Sequence, residues 1–288
     1  MKFRTTIHSP HMLSKVVASC NGSFLVLKYE RPYDEIVVVC NPLREQHLVL
    51  PKPPKTAFHV VTLDMFGLGH SPSTRQYKVL RLSPTFWSDR YTLDGHIYTI
   101  GIDDEWRCIG EIGLRAAHHI SHLVFLNGAL HWIAWIAGTE DSLIIYYFDI
   151  EKEQFGSFPL PFEMQEYISF GVVDNMMYVG TKSLDGHTWT FWVLKDYGDF
   201  GSWTLEWIID MLPFGLKFAG AAEPLKLLKD GNLLMMFTEY TVHEIDTKTT
   251  LALFNPHTEL LKEIKYGNVL PLGISYANIP SFFSPMDV

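Results

Sequence analysis

The sequence predicts an all-β chain: a β-propeller built from four-stranded antiparallel blades. Two observations carry this. First, short runs of β-branched and aromatic residues, bounded by turn residues, fill the chain, and helical periodicity is hard to find. Aromatic residues make up 14% of the 288 residues, and aromatics favour pleated, half-buried surfaces. Second, the runs recur in one order. A strand, a tight turn and a second strand are followed by a third strand ending in Asn or Asp, then a fourth.

The elements follow in sequence. Glu35–Val39, Leu143–Phe148 and Thr188–Leu194 are apolar or alternating strand runs. Asn21-Gly22, Asn127-Gly128, Asp174-Asn175 and Asp230-Gly231 are hairpin turns, because these residues supply the positive φ angles a two-residue turn needs. The third-to-fourth-strand junctions begin at Asn41, Asp103, Asp149, Asp196 and Asn255, spaced 62, 46, 47 and 59 residues apart. Two of these gaps match a blade of roughly 40–50 residues and two need a loop insertion. The second unit has a longer connection, Gly69–Gln76, in place of a tight turn. Five clear units start near Leu13, Val60, His119, Ile168 and Pro224. The first dozen residues and the tail from Pro271 are left for a partial sixth blade or a closing strand. No linker splits the chain, so residues 1–288 are expected to form one domain.

Composition narrows the function. Hydrophobic residues are 47% and charged residues 19%, which excludes a disordered chain. A net charge of −9 argues against nucleic acid and against an anionic membrane surface as partners. Cys20, Cys40 and Cys108 are too few and too scattered for a disulfide framework or a zinc site. Met1–Pro10 is polar, without a signal-like apolar core, and the apolar stretch His122–Ala137 is interrupted by Asn127, Gly128 and His131. The expectation is a soluble protein of the cytoplasm and/or nucleus.

No motif marks an active site, and no cofactor is expected. His118, His119 and His122 suggest imidazole ligands, but on a strand 119 points away from 118 and 122, and no Cys or carboxylate lies close by. Packed or solvated histidines are the default. Ser183–Trp189 resembles the Asp-box of sialidase propellers, with its glycine one place early and in a single copy; a loop before a strand accounts for it. Phe66-Gly67-Leu68-Gly69 lacks the third glycine and the helix of a phosphate loop. Nothing marks a carboxylate pair for glycoside hydrolysis.

Loop lengths point to binding. In an up-and-down blade the second-to-third loops and the blade-to-blade connections share one face. The long segments Pro51–His59, Ser83–Leu93, Leu160–Tyr167, Asp210–Ala222 and Glu239–Ile245 mostly belong to it. Binding residues concentrate on such loops. Trp106 and Trp203 begin fourth strands and are expected to pack between blades. Trp87 has no such repeat-based role; exposed aromatics anchor protein interfaces, and local packing of the loop is the competing reading. The partner-contact candidates are Phe86, Trp87, Arg90 and Tyr91 on one segment, with Tyr167 and Tyr240 on two others.

Seven blocks in order carry a resemblance. They are Val16–Leu25 (with Ser19-Cys20-Asn21-Gly22), Cys40–Glu45 followed by Leu50-Pro51, Phe66–Gly69 followed by Gln76–Arg81, and Phe125–Trp132. Phe148-Asp149 to Pro161, Trp192–Gly198 to Trp203, and Phe254-Asn255-Pro256 complete the series. Over roughly residues 16–265 the chain resembles the F-box associated domain, the kelch-like C-terminal region of plant F-box proteins. The resemblance implies a kelch-like β-propeller that recognises target proteins for an SCF-type E3 ubiquitin ligase, with the chemistry left to other subunits. It implies a Skp-type adaptor and a cullin as further partners where an F-box is present. Met1–Lys15 carries no F-box signature, so the F-box is expected to be missing from this sequence. The alternatives are a free-standing binding propeller, a pseudo-adaptor without ligase coupling, and a glycan-acting propeller enzyme.

Overall fold

The computed structural model describes residues 13–31, 34–54, 64–87, 90–114, 122–135, 143–162, 168–214, 219–239 and 248–264. They form five four-stranded antiparallel sheets, each with its strands in chain order. The first blade is β1 (Leu13–Cys20), β2 (Ser23–Arg31), β3 (Asp34–Asn41) and β4 (Gln46–Val49). The second is β5 (Met65–His70), β6 (Tyr77–Trp87), β7 (Arg90–Thr99) and β8 (Arg107–Leu114). The third is β9 (Val124–Leu126), β10 (Ala129–Trp135), β11 (Leu143–Asp149) and β12 (Gln154–Pro159). The fourth is β13 (Ile168–Val173), β14 (Met176–Lys182), β15 (Thr188–Leu194) and β16 (Trp203–Asp210). The fifth is β17 (Ala219–Leu227), β18 (Leu233–Glu239), β19 (Lys248–Asn255) and β20 (Leu260–Ile264). The sole helical element described is the 3-10 turn Leu212–Phe214. Among the described residues no helix is long and apolar enough to cross a membrane. The fold class is the one predicted, all-β in five propeller blades; the segments set aside for a sixth lie outside the described residues.

Two compact units hold these blades, divided after Phe158. In the first unit the leading strands β1, β5 and β9 pack on one another, and in the second β13 packs on β17. Apolar side chains fill the space between blade faces. Leu25, Leu27, Val37 and Val39 meet Phe66, Leu68, Val79 and Tyr98 between the first two blades. Leu80, Leu82 and Ile97 meet Leu130, Trp132 and Phe148 between the second and third. Trp189, Phe191, Val193 and Trp207 meet Leu233, Met235 and Phe237 between the fourth and fifth. Val79 and Leu80 are neighbours in β6 yet serve opposite cores, because successive strand residues face opposite ways. A strand buried on both faces reads as a continuous apolar run.

The turns explain the sequence signals. Asn21-Gly22, Asn127-Gly128 and Asp174-Asn175 all have positive φ at both positions, as two-residue hairpins require. Asp230-Gly231 does not form such a turn. Residues 228–232 make a longer loop, closed by Leu228 N–H to Asn232 O at 2.8 Å, in which Gly231 alone has positive φ. In the third-to-fourth junctions the Oδ1 of Asn41, Asp149 and Asn255 accepts backbone N–H bonds from the residues two and three places on. Four places on, Glu45, Glu153 and Glu259 close the turn at φ 53, 52 and 55°. The Asx side chain caps the turn and a left-handed residue ends it.

Two further expectations are corrected. Pro224 does not start the fifth unit; it lies inside β17, next to a break in register between Pro224 and Lys226 that tolerates its missing N–H. Ser83–Leu93 is not a long loop, because its described residues belong to strands β6 and β7. Trp106 packs between blades as expected, against Phe66 and Tyr98, and its Nε1 donates to Pro51 O at 2.8 Å. Trp203 is half-buried, and it lies outside the cluster between the fourth and fifth blades.

Candidate functional site

The β6–β7 hairpin is the longest in the molecule's described part, with strands of 11 and 10 residues beside a six-residue β5. The β5 ladder ends at Met65 opposite Leu82, so Ser83–Trp87 run past it. On the other side β8 supports β7 as far as Leu114 opposite Tyr91. The hairpin is therefore an arm braced along one edge. Among the described residues no strand pairs with its other edge. Pro84 sits in that free stretch, opposite Leu93, where a proline costs no ladder bond with β5. The same proline makes the sequence read as a loop.

Register places Phe86 opposite Tyr91 and Trp87 opposite Arg90 at the tip. The four predicted contact residues thus come together on one hairpin end, though their side chains lie outside the described residues. Thr85 and Thr92, one pair further in, meet Oγ1 to Oγ1 at 2.6 Å. Tyr167 and Tyr240 lie outside the described residues, as do His118 and His119.

The base of the arm is an ionic cluster that motif reading missed. The Arg81 guanidinium is 1% exposed and over the Phe66 ring at 6.0 Å. Its Nε donates to Asp64 Oδ2 at 2.8 Å, its Nη2 reaches the same oxygen, and its Nη1 donates to Pro54 O at 2.6 Å. This ties β6 to the connection that arrives from β4. Glu35, at the start of β3, accepts from Tyr29 Oη at 3.4 Å. Burial first, then the nearby Asp64 charge, push its carboxyl up to about 7. Burial and the Arg81 charge push His96 down, and burial with the Glu111 charge pushes Asp94 up. The signal available in sequence was a lone arginine inside the apolar run Val79–Leu82.

Among the described residues the Arg81 guanidinium is engaged by Asp64 and by Pro54 O, so the cluster fixes β6 in place. Among the described residues no group of three or more His, Cys, Asp or Glu could hold a metal ion. Burial pushes His122 down to about 4, with the Lys15 charge adding to it. At the Asp-box-like segment, Ser183 Oγ donates to Asp185 Oδ1 at 2.5 Å, and Asp185 Oδ1 accepts from His187 N–H at 3.0 Å. It is the turn before β15, and Trp189 beyond it is core.

Comparison with known proteins places the chain. The family described as the F-box associated beta propeller domain matches residues 2–276. The F-box protein DOR of Arabidopsis thaliana is 28% identical over 173 residues, 59% of this chain and 43% of DOR. A second Arabidopsis F-box protein is 27% identical over 229 residues, 70% of this chain and 52% of its own length. The relatives are longer, the matches covering between 30% and 52% of them. A solved propeller domain of a Pyrococcus furiosus protease aligns at TM-score 0.47 and 11% identity, over 88% of this chain and 72% of that one. With its seven ordered blocks and a match along nearly its whole length, the chain belongs to the F-box associated beta propeller domain family.

Proposed function

We propose that this chain is the non-catalytic, target-binding part of an SCF-type E3 ubiquitin ligase. Membership of the F-box associated family carries the reading. The long β6–β7 hairpin supports it, because among the described residues no strand pairs with Ser83–Trp87 along one edge, and such an edge with aromatic residues at its end suits a protein contact. In this reading Phe86, Trp87, Arg90 and Tyr91 grip the target, Tyr167 and Tyr240 extend the surface, and residues 1–288 act as one domain. A Skp-type adaptor and a cullin join where the full chain carries an F-box, the ligation chemistry belongs to other subunits, and the work is done in the cytoplasm or nucleus.

Affinity purification from source tissue, with partners identified by mass spectrometry, tests this. The expected result is a target protein together with a Skp-type adaptor and a cullin. Recovery of a protein partner without them would instead support a free-standing or pseudo-adaptor propeller. The paired substitution Phe86→Ala with Trp87→Ala is expected to lose the target while leaving the thermal melt unchanged; an unchanged target yield removes the arm from the site.

A further inference from the structure

Ten large apolar side chains are exposed among the described residues, and five of them fall within 197–212: Tyr197, Phe200, Leu205, Ile208 and Leu212. The segment is the β15–β16 turn, the outermost strand of the fourth blade and its end. Single exposed apolar residues are ordinary, but five within sixteen residues, two of them on the strand itself, are not.

A bulge assembles the run. Phe191 pairs with Trp207 but Trp192 pairs with Leu205, so Glu206 is an extra residue in β16. Without it, Leu205 and Ile208 would face opposite sides. With it, Leu205 lies opposite Trp192 and Ile208 opposite Thr190, on one face. Leu205 is 45% and Ile208 53% exposed, and Trp192 beside them is half-buried against Phe162. The opposite face, with Phe191, Trp207 and Ile209, is core.

The charge around this face is one-sided. Asp196, Asp199, Glu206 and Asp210 are exposed along it, against the single cation Lys195. Lys195 is itself paired to Glu206 at 2.5 Å. Such a rim repels an acidic partner, a second copy of this chain at net charge −9 included.

We propose that the bulged outer face of β16 is a docking strip for an extended segment of a partner protein that carries apolar and basic side chains on one face. The apolar side chains seat on Leu205, Ile208 and Trp192, and the basic ones meet Glu206 and Asp210. The proposal rests on the protein-binding reading above and adds a surface separate in sequence from the β6–β7 arm.

Fluorescence anisotropy with the full chain tests it. The probe is a labelled peptide of about ten residues with Leu and Lys taking turns at every second position and Ser between them, chosen to span a strand of this length with both residue types on one face. Comparison peptides replace Lys by Glu or Leu by Ser. The expected result is binding of the Leu–Lys peptide alone, slowed amide exchange in 203–210, and weakening of about tenfold for either Leu205→Ser or Ile208→Ser. Leu260→Ser, 64% exposed on β20 of the fifth blade, should leave it unchanged. Both test positions are exposed, so the variants should melt like the parent. Glu206→Lys gives a second check through the rim, with the same direction expected. Absence of binding, or binding indifferent to both serine variants, overturns the proposal. In that case a target lost from purification by Phe86→Ala with Trp87→Ala would leave the protein-binding reading standing.

Discussion

The ammonium of Lys78 on β6 lies 2.7 Å from the carboxylate of Glu153, in the turn that joins β11 to β12. Lys78 is nearly buried and also donates to Ile150 O at 2.9 Å, while Arg107 reaches Glu153 at 2.9 Å. One turn residue therefore holds two cations of the neighbouring blade. Its carboxyl is held below the usual range, first by the Arg107 hydrogen bond. Glu153→Gln leaves Lys78 charged and poorly paired. The expected loss is about 2–3 kcal/mol in urea unfolding, since removing one partner strands a buried charge. A loss within error would show the pair to be screened.

The three Asx-capped turns make a graded prediction. Glu45 and Glu259 hold φ 53 and 55° and form no described ion pair. Glycine takes this conformation at no steric cost, so Glu45→Gly and Glu259→Gly should each stabilise the protein by about 0.5–1 kcal/mol. Glu153→Gly should destabilise it despite φ 52°, because the Lys78 and Arg107 contacts go with the side chain. Thermal melts of the three variants read the sign directly.

Arg81 and Asp64 should behave as a unit. Arg81→Leu leaves the Asp64 carboxylate, 3% exposed, without its cation. The expected cost is about 3–5 kcal/mol. Adding Asp64→Leu should recover a large part of it. A double variant as unstable as the sum of the singles would mean that the two residues act independently.

Two opposed titrations should leave stability nearly level between about pH 4.5 and 6.5, where the loss from Glu35 and Glu223 offsets the gain from His122 and His131. Burial pushes Glu35 and Glu223 up to about 7, so the folded state binds protons more tightly than the unfolded chain. Their contribution is complete below the ordinary carboxylate range and is lost as pH rises through about 7. Burial pushes His122 and His131 down to about 4, so their contribution is present above the ordinary imidazole range and is lost as pH falls towards about 4. Glu35→Gln with Glu223→Gln should remove the loss and uncover a rise in stability from pH 5 to 6.5, carried by His122 and His131. Urea midpoints at pH 5, 6.5 and 8 would show this; a profile unchanged from the parent would mean that neither carboxyl is protonated in the folded protein.

The sequence by itself determined what is local. Turn residues with positive φ, Asx caps and β-branched runs set three of the tight turns, the junction turns and the four-strand repeat, because each depends on a few neighbouring side chains. The seven ordered blocks carried the family for the same reason. Tertiary structure decided where locally ambiguous segments went. Pro84 reads as a break until β5 is seen to stop at Met65, and Pro224 until the register shift beside it is seen. Arg81 reads as one more strand residue until Asp64 and Pro54, distant in sequence, close around it. Leu205 and Ile208 read as opposite faces until the bulge at Glu206 turns them together. Each of these depends on which strand lies alongside and in what register, and that is fixed by packing between distant segments, not by the residues next in the chain.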